Sequence, residues 1–478
     1  MVEEVPLRDG HSGRASPSPS PAPAKKINAV GLVGLTFFAV CGGDYGIEDA
    51  VGAAGPAYTL LGLFLVPWVW SLPIALMTAE LGTMMPDMGG PIVWVDRAFG
   101  RRVAHSNAII RLVANFFDLA LYPVMFADYL RELHPMLKLE GVHRYLLSAS
   151  LVGAVTLLNV AGVDAVASVS TVFTVLVISP FAALVIYGLP RVDPSAWLIG
   201  LNPAEWSSLG GVGGGESTVG PYRWGTYFSV LLWNMSGYDS VGALAAEVAD
   251  PGRDFPRAMG ATIILVSLVY IVPVAVGVSL DDPAHLPKWS DGTFAVVAED
   301  HVGPWLAKWI SLGGALSAFG LLNMRVCAVA RIAVSAAEIG VLPRALAHVD
   351  EHSGAPVTAI LVLSTGLLFM LSLPFAALVK FSMLFYGATV GTALLALVKL
   401  RKSEPTAPRP YRVPIADGYP LIAFCMPPLA LCVLLAFVAE RASLYILLGV
   451  LAVASLAWSC KGEQPSYSTL PSPRNSQM

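Results

Sequence analysis

The sequence predicts an all-α, polytopic membrane protein of twelve transmembrane helices, arranged as a five-plus-five inverted repeat in which helices 1 and 6 are broken. Three observations lead there. Of 478 residues, 55% are hydrophobic and only 13% charged, with a mean hydropathy of +0.67, which lies outside the composition of soluble domains. Apolar stretches recur at the length that a hydrocarbon core of about 30 Å demands. Two of those stretches, five apart, carry the same interruption by Gly, Tyr and Asp, and paired interruptions at corresponding positions are what inverted repeats produce.

Residues 1–26 are rich in Ser, Pro and Ala, with SPSPSPAPA at 16–24, and cannot bury enough apolar surface to fold. Residues 461–478 read the same way, so both are expected to be solvated tails on one membrane domain at 27–460. The twelve apolar stretches lie near 29–55, 57–81, 104–130, 145–161, 164–189, 224–248, 258–280, 305–333, 356–373, 375–399, 418–439 and 443–460. With the N-terminus inside, Lys and Arg in the inner segments outnumber those outside by about two to one, which places both termini in the cytoplasm. The segment after the second stretch, DMGGPIVWV at 87–95, has a loose counterpart after the seventh, WSDGTFAVV at 289–297. Inversion puts the two on opposite faces of the membrane, in agreement with the charge count, although each also fits an interfacial amphipathic segment.

Composition also excludes functions. A net charge of -4, with Lys and Arg mostly in short loops, leaves no basic surface for nucleic acid. The five cysteines lie in or beside apolar stretches without CxxC spacing, so they read as small core residues, with no metal site or disulfide framework expected. Absence of GxSxG, HExxH and Walker motifs argues against an enzyme or an ATP-driven pump. An ion gradient then remains as the driving force, with no cofactor. Exchangeable carboxylates favour H⁺, and backbone carbonyls leave Na⁺ open.

The first interruption, CGGDYGIED at 41–49, sets three acids among glycines. Non-helical backbone at bilayer depth is tolerated only where protein or a water-filled cavity satisfies it, so Gly43, Asp44, Tyr45 and Gly46 are expected to line a cavity. A half-helix starting near Ile47 offers N–H donors to an anion. Asp44 among those donors repels an incoming carboxylate and favours a small cationic substrate. Asp44 also fits a cap on that half-helix, and the two roles can coexist. Glu48 and Asp49 lie about 100° apart around the helix, so one of them is structural and Glu48 is kept for the site. Asp118 and Tyr122 share a face of helix 3. The second interruption, SGYDS at 236–240, adds Tyr238 and Asp239, with Trp233 and Asn234 just before it. Aromatic rings attract alkylammonium groups, and Asn234 is placed to hydrogen-bond across the broken helix. Asp44, Glu48, Asp118 and Asp239 are the candidates for a coupled proton. Glu80 and Glu247, at helix ends, read as gate or loop partners of inner arginines. Arg325 in helix 8 either faces the cavity, paired with an acid such as Asp44, or turns toward the inner vestibule.

These residues resemble the amino acid-polyamine-organocation (APC) superfamily, and within it the plant polyamine uptake transporters, over about 27–460. The resemblance is carried by GGDYGIED at 42–49 with GAAGP at 52–56, TAELGTM at 78–84, DLALYPV at 118–124, LWNMSGYDS at 232–240, EVADP at 247–251 and GVLP at 340–343. AELG, EVxxP and GVLP mark the fold, whereas GIED, DxALYPV and LLWN are similar to the polyamine group. Two positions depart from that group: Asp44 stands where Pro is usual, and Arg325 stands where acidic or small polar residues are frequent. The resemblance implies a LeuT/APC-like fold and symport of putrescine, spermidine or spermine with protons at a plasma or internal membrane. A proton-coupled amino-acid transporter and a non-transporting nutrient sensor are the other activities such a fold admits.

Overall fold

A computed structural model describes residues 29–86, 89–133, 140–161, 163–211, 220–338, 340–350 and 353–459. The expected tails lie outside these residues. All of the described elements are helical.

The first span begins as α1 (Ala29–Val40), opens at Cys41–Ile47, and resumes as α2 (Glu48–Val66). α2 kinks at Gly55, where φ is 88°, and there passes into the second span, which continues through a π turn at Pro67–Ser71 into α3 (Leu72–Met84). A short α4 (Pro91–Phe99) leads to the long third span α5 (Arg101–Leu133), then α6 (Val142–Ala161) and α7 (Val163–Gly188). After α8 (Pro203–Ser208) the sixth span repeats the pattern of the first: α9 (Trp224–Asn234), a break at Met235–Gly237, and a 3₁₀ segment at Tyr238–Glu247. The seventh span α10 (Pro251–Leu280), short α11 (Thr293–His301), long α12 (Pro304–Glu338), α13 (Val357–Leu368) and α14 (Phe375–Ser403) complete the second half. α15 (Tyr419–Val438) and α16 (Arg441–Ser459) lie outside the repeat.

Among the described residues, eight helices are long and apolar enough to cross a membrane; α7, α13 and the two broken spans bring the number to twelve. The halves interleave. α5 packs on α14 as α12 packs on α7, and α5 packs on α13 as α12 packs on α6. Exchanging the halves turns each of these contacts into the other, as an inverted repeat requires. The loose likeness of 87–95 to 289–297 is also structural, since α4 and α11 are both nine residues long and both start after a glycine at positive φ, Gly90 at 46° and Gly292 at 94°.

Two boundaries differ from expectation. The stretch at 356–373 is helical only to Leu368, after which tight turns lead to Pro374. The second half of span 6 is a 3₁₀ helix rather than an α-helix. Large apolar side chains such as Phe437 at 82% exposure stand on the outside of the bundle, a surface suited to hydrocarbon and not to water.

Candidate substrate site

At both breaks, side chains from neighbouring helices close the backbone groups that leave the helical ladder. In the first, Ser317 of α12 donates its hydroxyl to the Gly42 carbonyl at 2.6 Å, and Arg325 of the same helix donates Nη2 to the Ala39 carbonyl at 2.9 Å. Asn234, at the end of α9, donates Nδ2 to the Gly46 carbonyl at 3.0 Å and so ties the two breaks together. In the second break, the π turn of span 2 supplies the partners. Ser71 donates to the Met235 carbonyl at 2.8 Å, and the Trp70 indole N–H donates to Ser236 Oγ at 2.9 Å. A π turn rotates the side chains that follow it out of α register.

Gly46 and Gly237 are required where they stand. Gly46 has φ 82°, and a Cβ on it would lie 3.1 Å from the Trp233 ring; Gly237 has φ 113°, and its Cβ would lie 2.5 Å from the Ala39 carbonyl of the other break. Replacing Gly46 with Ala is expected to cost about 1–2 kcal/mol, the penalty for a side chain in left-handed backbone. Thermal unfolding in detergent should show a midpoint lower by about one to two degrees, and an unchanged midpoint would contradict this account.

Between the breaks, α5 and α12 lies a cavity lined by Tyr45, Tyr122, Trp233, Asn234, Tyr270 and Arg325, among others. Its volume is about 10 Å³, room for about one water molecule. Asp118 stands behind the wall and organises it. Its Oδ1 accepts the Trp233 indole N–H at 2.9 Å, its Oδ2 accepts the Tyr122 hydroxyl at 3.4 Å, and Arg325 Nε lies 3.7 Å from Oδ2. Arg325 thus faces the cavity, paired with Asp118 and not with Asp44.

Asp44 is fully buried, and neither carboxylate oxygen has a hydrogen-bond partner among the described residues. It does not cap α2, whose N-cap Ile47 receives no side-chain bond. The neighbouring charge is a second carboxylate, Glu48. Glu48 itself is turned away from the cavity. Its Oε2 accepts the Gly46 N–H at 2.9 Å, and its Oε1 accepts the Tyr129 hydroxyl at 3.0 Å and the Gly292 N–H at 3.3 Å. One donor of the first break, Gly46 N–H, is therefore already occupied by an internal carboxylate.

Asp239 is also placed differently from expectation. It forms a short buried ion pair with Arg111 of α5 and accepts the Tyr386 hydroxyl of α14 at 2.6 Å, so it fixes the second break to the scaffold rather than facing the cavity. Tyr238 is buried but is not part of the cavity wall. Gly43, at φ 107°, shapes the turn and donates its N–H to Cys41 Sγ at 3.4 Å. Arg111 was legible as the one arginine between Arg102 and Asp118 in an apolar helix, a position that by default marks a functional or paired charge. Ser317, Tyr386 and the π-turn pair carried no such signal.

At the α4 end of the bundle, Glu80 is held by Arg401 Nε at 2.8 Å and Nη2 at 2.5 Å, by Arg409 Nε at 3.1 Å and by the Val413 N–H at 2.9 Å. It is a structural partner of arginines, as its helix-end position suggests. The backbone of Glu247 ends the 3₁₀ segment, and its side chain lies outside the described residues.

The family model for amino acid permeases matches residues 27–457. The chain belongs to that family. It is a transporter rather than an enzyme. Similar sequences include a probable polyamine transporter of Arabidopsis thaliana, 33% identical over 87% of this chain and 79% of that protein, and the polyamine transporter PUT1 of Oryza sativa subsp. japonica, 33% identical over 89% of this chain and 75% of that protein. Among solved structures, MhsT in complex with L-phenylalanine superposes with a TM-score of 0.57 at 13% identity, over 87% of this chain and 98% of that one. That likeness speaks for the fold alone.

Proposed function

We propose that this permease is a polyamine:proton symporter that takes up putrescine, spermidine or spermine across the plasma membrane, with both termini in the cytoplasm. The observation that carries the reading is Asp44, a buried carboxylate in the first break with no protein donor. An ionised acid left in that condition costs several kcal/mol, so it calls for a proton or a cation from outside the fold. The named polyamine transporters among the relatives support the same substrate class. A substrate with a carboxylate fits less well, because it would approach Asp44 and find the Gly46 donor occupied by Glu48.

Charge balance supports symport. Arg325 offsets Asp118 and Arg111 offsets Asp239, whereas Asp44 and Glu48 have no salt-bridge partner among the described residues. An ammonium at Asp44 together with a proton on Glu48 neutralises both, and the loaded transporter can then close without an uncompensated charge in the membrane. Tyr45, Tyr122 and Trp233 pack the methylene chain and offer cation–π contact worth about 0.5–2 kcal/mol. Since Asn234 joins the breaks, spans 1 and 6 move as a unit against α5 and α12.

The test is uptake of labelled spermidine and of a labelled neutral amino acid at acidic and neutral external pH, with and without Na⁺. Expected are spermidine accumulation that rises at acidic pH, indifference to Na⁺, and no amino-acid uptake. Amino-acid uptake without spermidine uptake would sink the reading, and transport of neither would favour a sensor. Glu48→Gln is expected to abolish proton-driven accumulation while retaining spermidine exchange between the two sides of a vesicle. Loss of both activities would remove Glu48 as the proton carrier.

A further inference from the structure

The segment before α11 is held against α2 by close backbone contact. A Cβ on Gly52 would lie 2.2 Å from the Trp289 carbonyl, and Gly292 donates its N–H to Glu48. Between these two fixed points stands Asp291. Its side chain is 8% exposed, and neither oxygen has a hydrogen-bond partner among the described residues. Nearby acids in the same segment are satisfied: Asp281 accepts the Trp289 indole N–H at 2.7 Å, and Asp282 accepts the Ala284 N–H at 2.9 Å.

The charges facing Asp291 come from every element packed around it. Asp49 and Glu48 start α2, and Asp128 lies on α5; among the described residues, Arg144 of α6 is the cation that acts on it most. Arg144 is already committed to Asp128, with bonds of 3.1 and 2.8 Å, and Arg131 reaches the same acid at 4.0 Å. Arg223 serves Asp49, which also takes the Asp291 backbone N–H. Each cation is thus directed to another acid, and Asp291 is left with two carboxylates beside it.

We propose that Asp291, with Asp49 and Asp128, forms a second alkylammonium site at the α11 end of the bundle, which takes the trailing ammonium of a di- or polyamine whose leading ammonium approaches Asp44. The inference rests on the cationic-substrate reading above. Asp44, Glu48 and Asp291 act on one another in sequence, so acids follow one another from the first break to the rim. Among the described residues no three metal-ligating side chains converge as a metal ion requires, whereas a polyamine carries its charges apart on a flexible methylene chain. An ammonium supplies three N–H donors to the bare oxygens of Asp291.

Binding to the purified, full-length protein in nanodiscs tests this by calorimetry, with spermidine and the single-charge amine propylamine as probes. Asp291→Asn is expected to weaken spermidine binding about tenfold and to leave propylamine binding unchanged, because propylamine uses the central site alone. Asp291→Glu should recover most of the lost affinity. Asp300→Asn, which removes an exposed acid from α11, should change neither. Unaltered spermidine affinity in Asp291→Asn, or an equal loss for both amines, overturns the second site while the central reading stands. Absence of any amine binding to the unmodified protein overturns both.

Discussion

Replacing Asp44 with Asn is expected to abolish concentrative spermidine uptake and to leave the protein folded. The side chain makes no hydrogen bond among the described residues, so an amide of the same size removes none of their contacts. What it removes is the charge that an ammonium would meet in the first break, between Gly42 and Tyr45 of the cavity wall. Truncating one member of a buried charge pair typically costs about 2–5 kcal/mol, which places the loss of affinity between about 30-fold and several thousand-fold. Spermidine uptake by cells expressing the variant, normalised to protein at the membrane, measures the effect. Thermal stability in detergent should be equal to or above that of the unmodified protein, since an uncompensated buried charge has been taken away. Wild-type uptake in Asp44→Asn would remove the central argument for a cationic substrate.

The largest effect on stability is expected at Arg401. Its guanidinium donates to both Glu80 oxygens, to Asp417 at 2.9 Å, and to the Val413 and Ile415 carbonyls at 2.8 Å. This joins the end of α14 and the following loop to span 2. Arg401→Ala leaves Glu80, which has no exposed surface, with Arg409 and one N–H for company. Breaking a buried pair in this way costs about 3–5 kcal/mol, enough to deplete the folded protein. Arg401→Lys should rescue only in part, because an ammonium cannot reproduce the planar two-pronged contact. Size-exclusion profiles and thermal midpoints of the two variants decide it, and an Arg401→Ala protein as stable as the original would refute the assignment. Mild acid does not release the Asp417 contact of this latch. The hydrogen bond from Arg401, followed by that from Arg412, holds the Asp417 carboxyl below the ordinary carboxylate range. A lowered native pKa gives stability that is present above the unfolded value and is lost only as pH falls through the folded one. The Asp417 arm of the latch therefore stays charged at mildly acidic pH.

Much of this architecture is written in local sequence. Span lengths follow from hydropathy, and the breaks follow from glycines inside apolar runs, so the number of helices and the inversion could be read directly. The 3₁₀ form of Tyr238–Glu247 and the π turn at Pro67–Ser71 could not, because each depends on partners from another span. The site divides in the same way. Tyr45, Tyr122, Trp233 and Asn234 are legible because each residue type suits a cavity at that depth, whereas Asp44, expected in the wall, is buried beside Tyr45 without lining the cavity. Glu48 and Asp239 looked equivalent to Asp44 as isolated acids, and what separates them is tertiary. Tyr129 and the Gly292 N–H take up Glu48, and Arg111 with Tyr386 takes up Asp239. A sequence displays its charges without saying how they pair. Arg325 is the sharpest instance, since its partner is Asp118 on a helix some 200 residues earlier.

The interleaving of the two halves bears on how the chain is made. α5 enters the bilayer carrying Arg111 and Asp118, and the partners of both, Asp239 for the first and Trp233 and Arg325 for the second, are translated afterwards. Its packing faces for α12 and α14 are likewise bare until those helices have been inserted. A nascent first half therefore holds charges in lipid that no completed contact neutralises. A chain that ends between the halves is in that sense left with unpaired charges and an unfinished core.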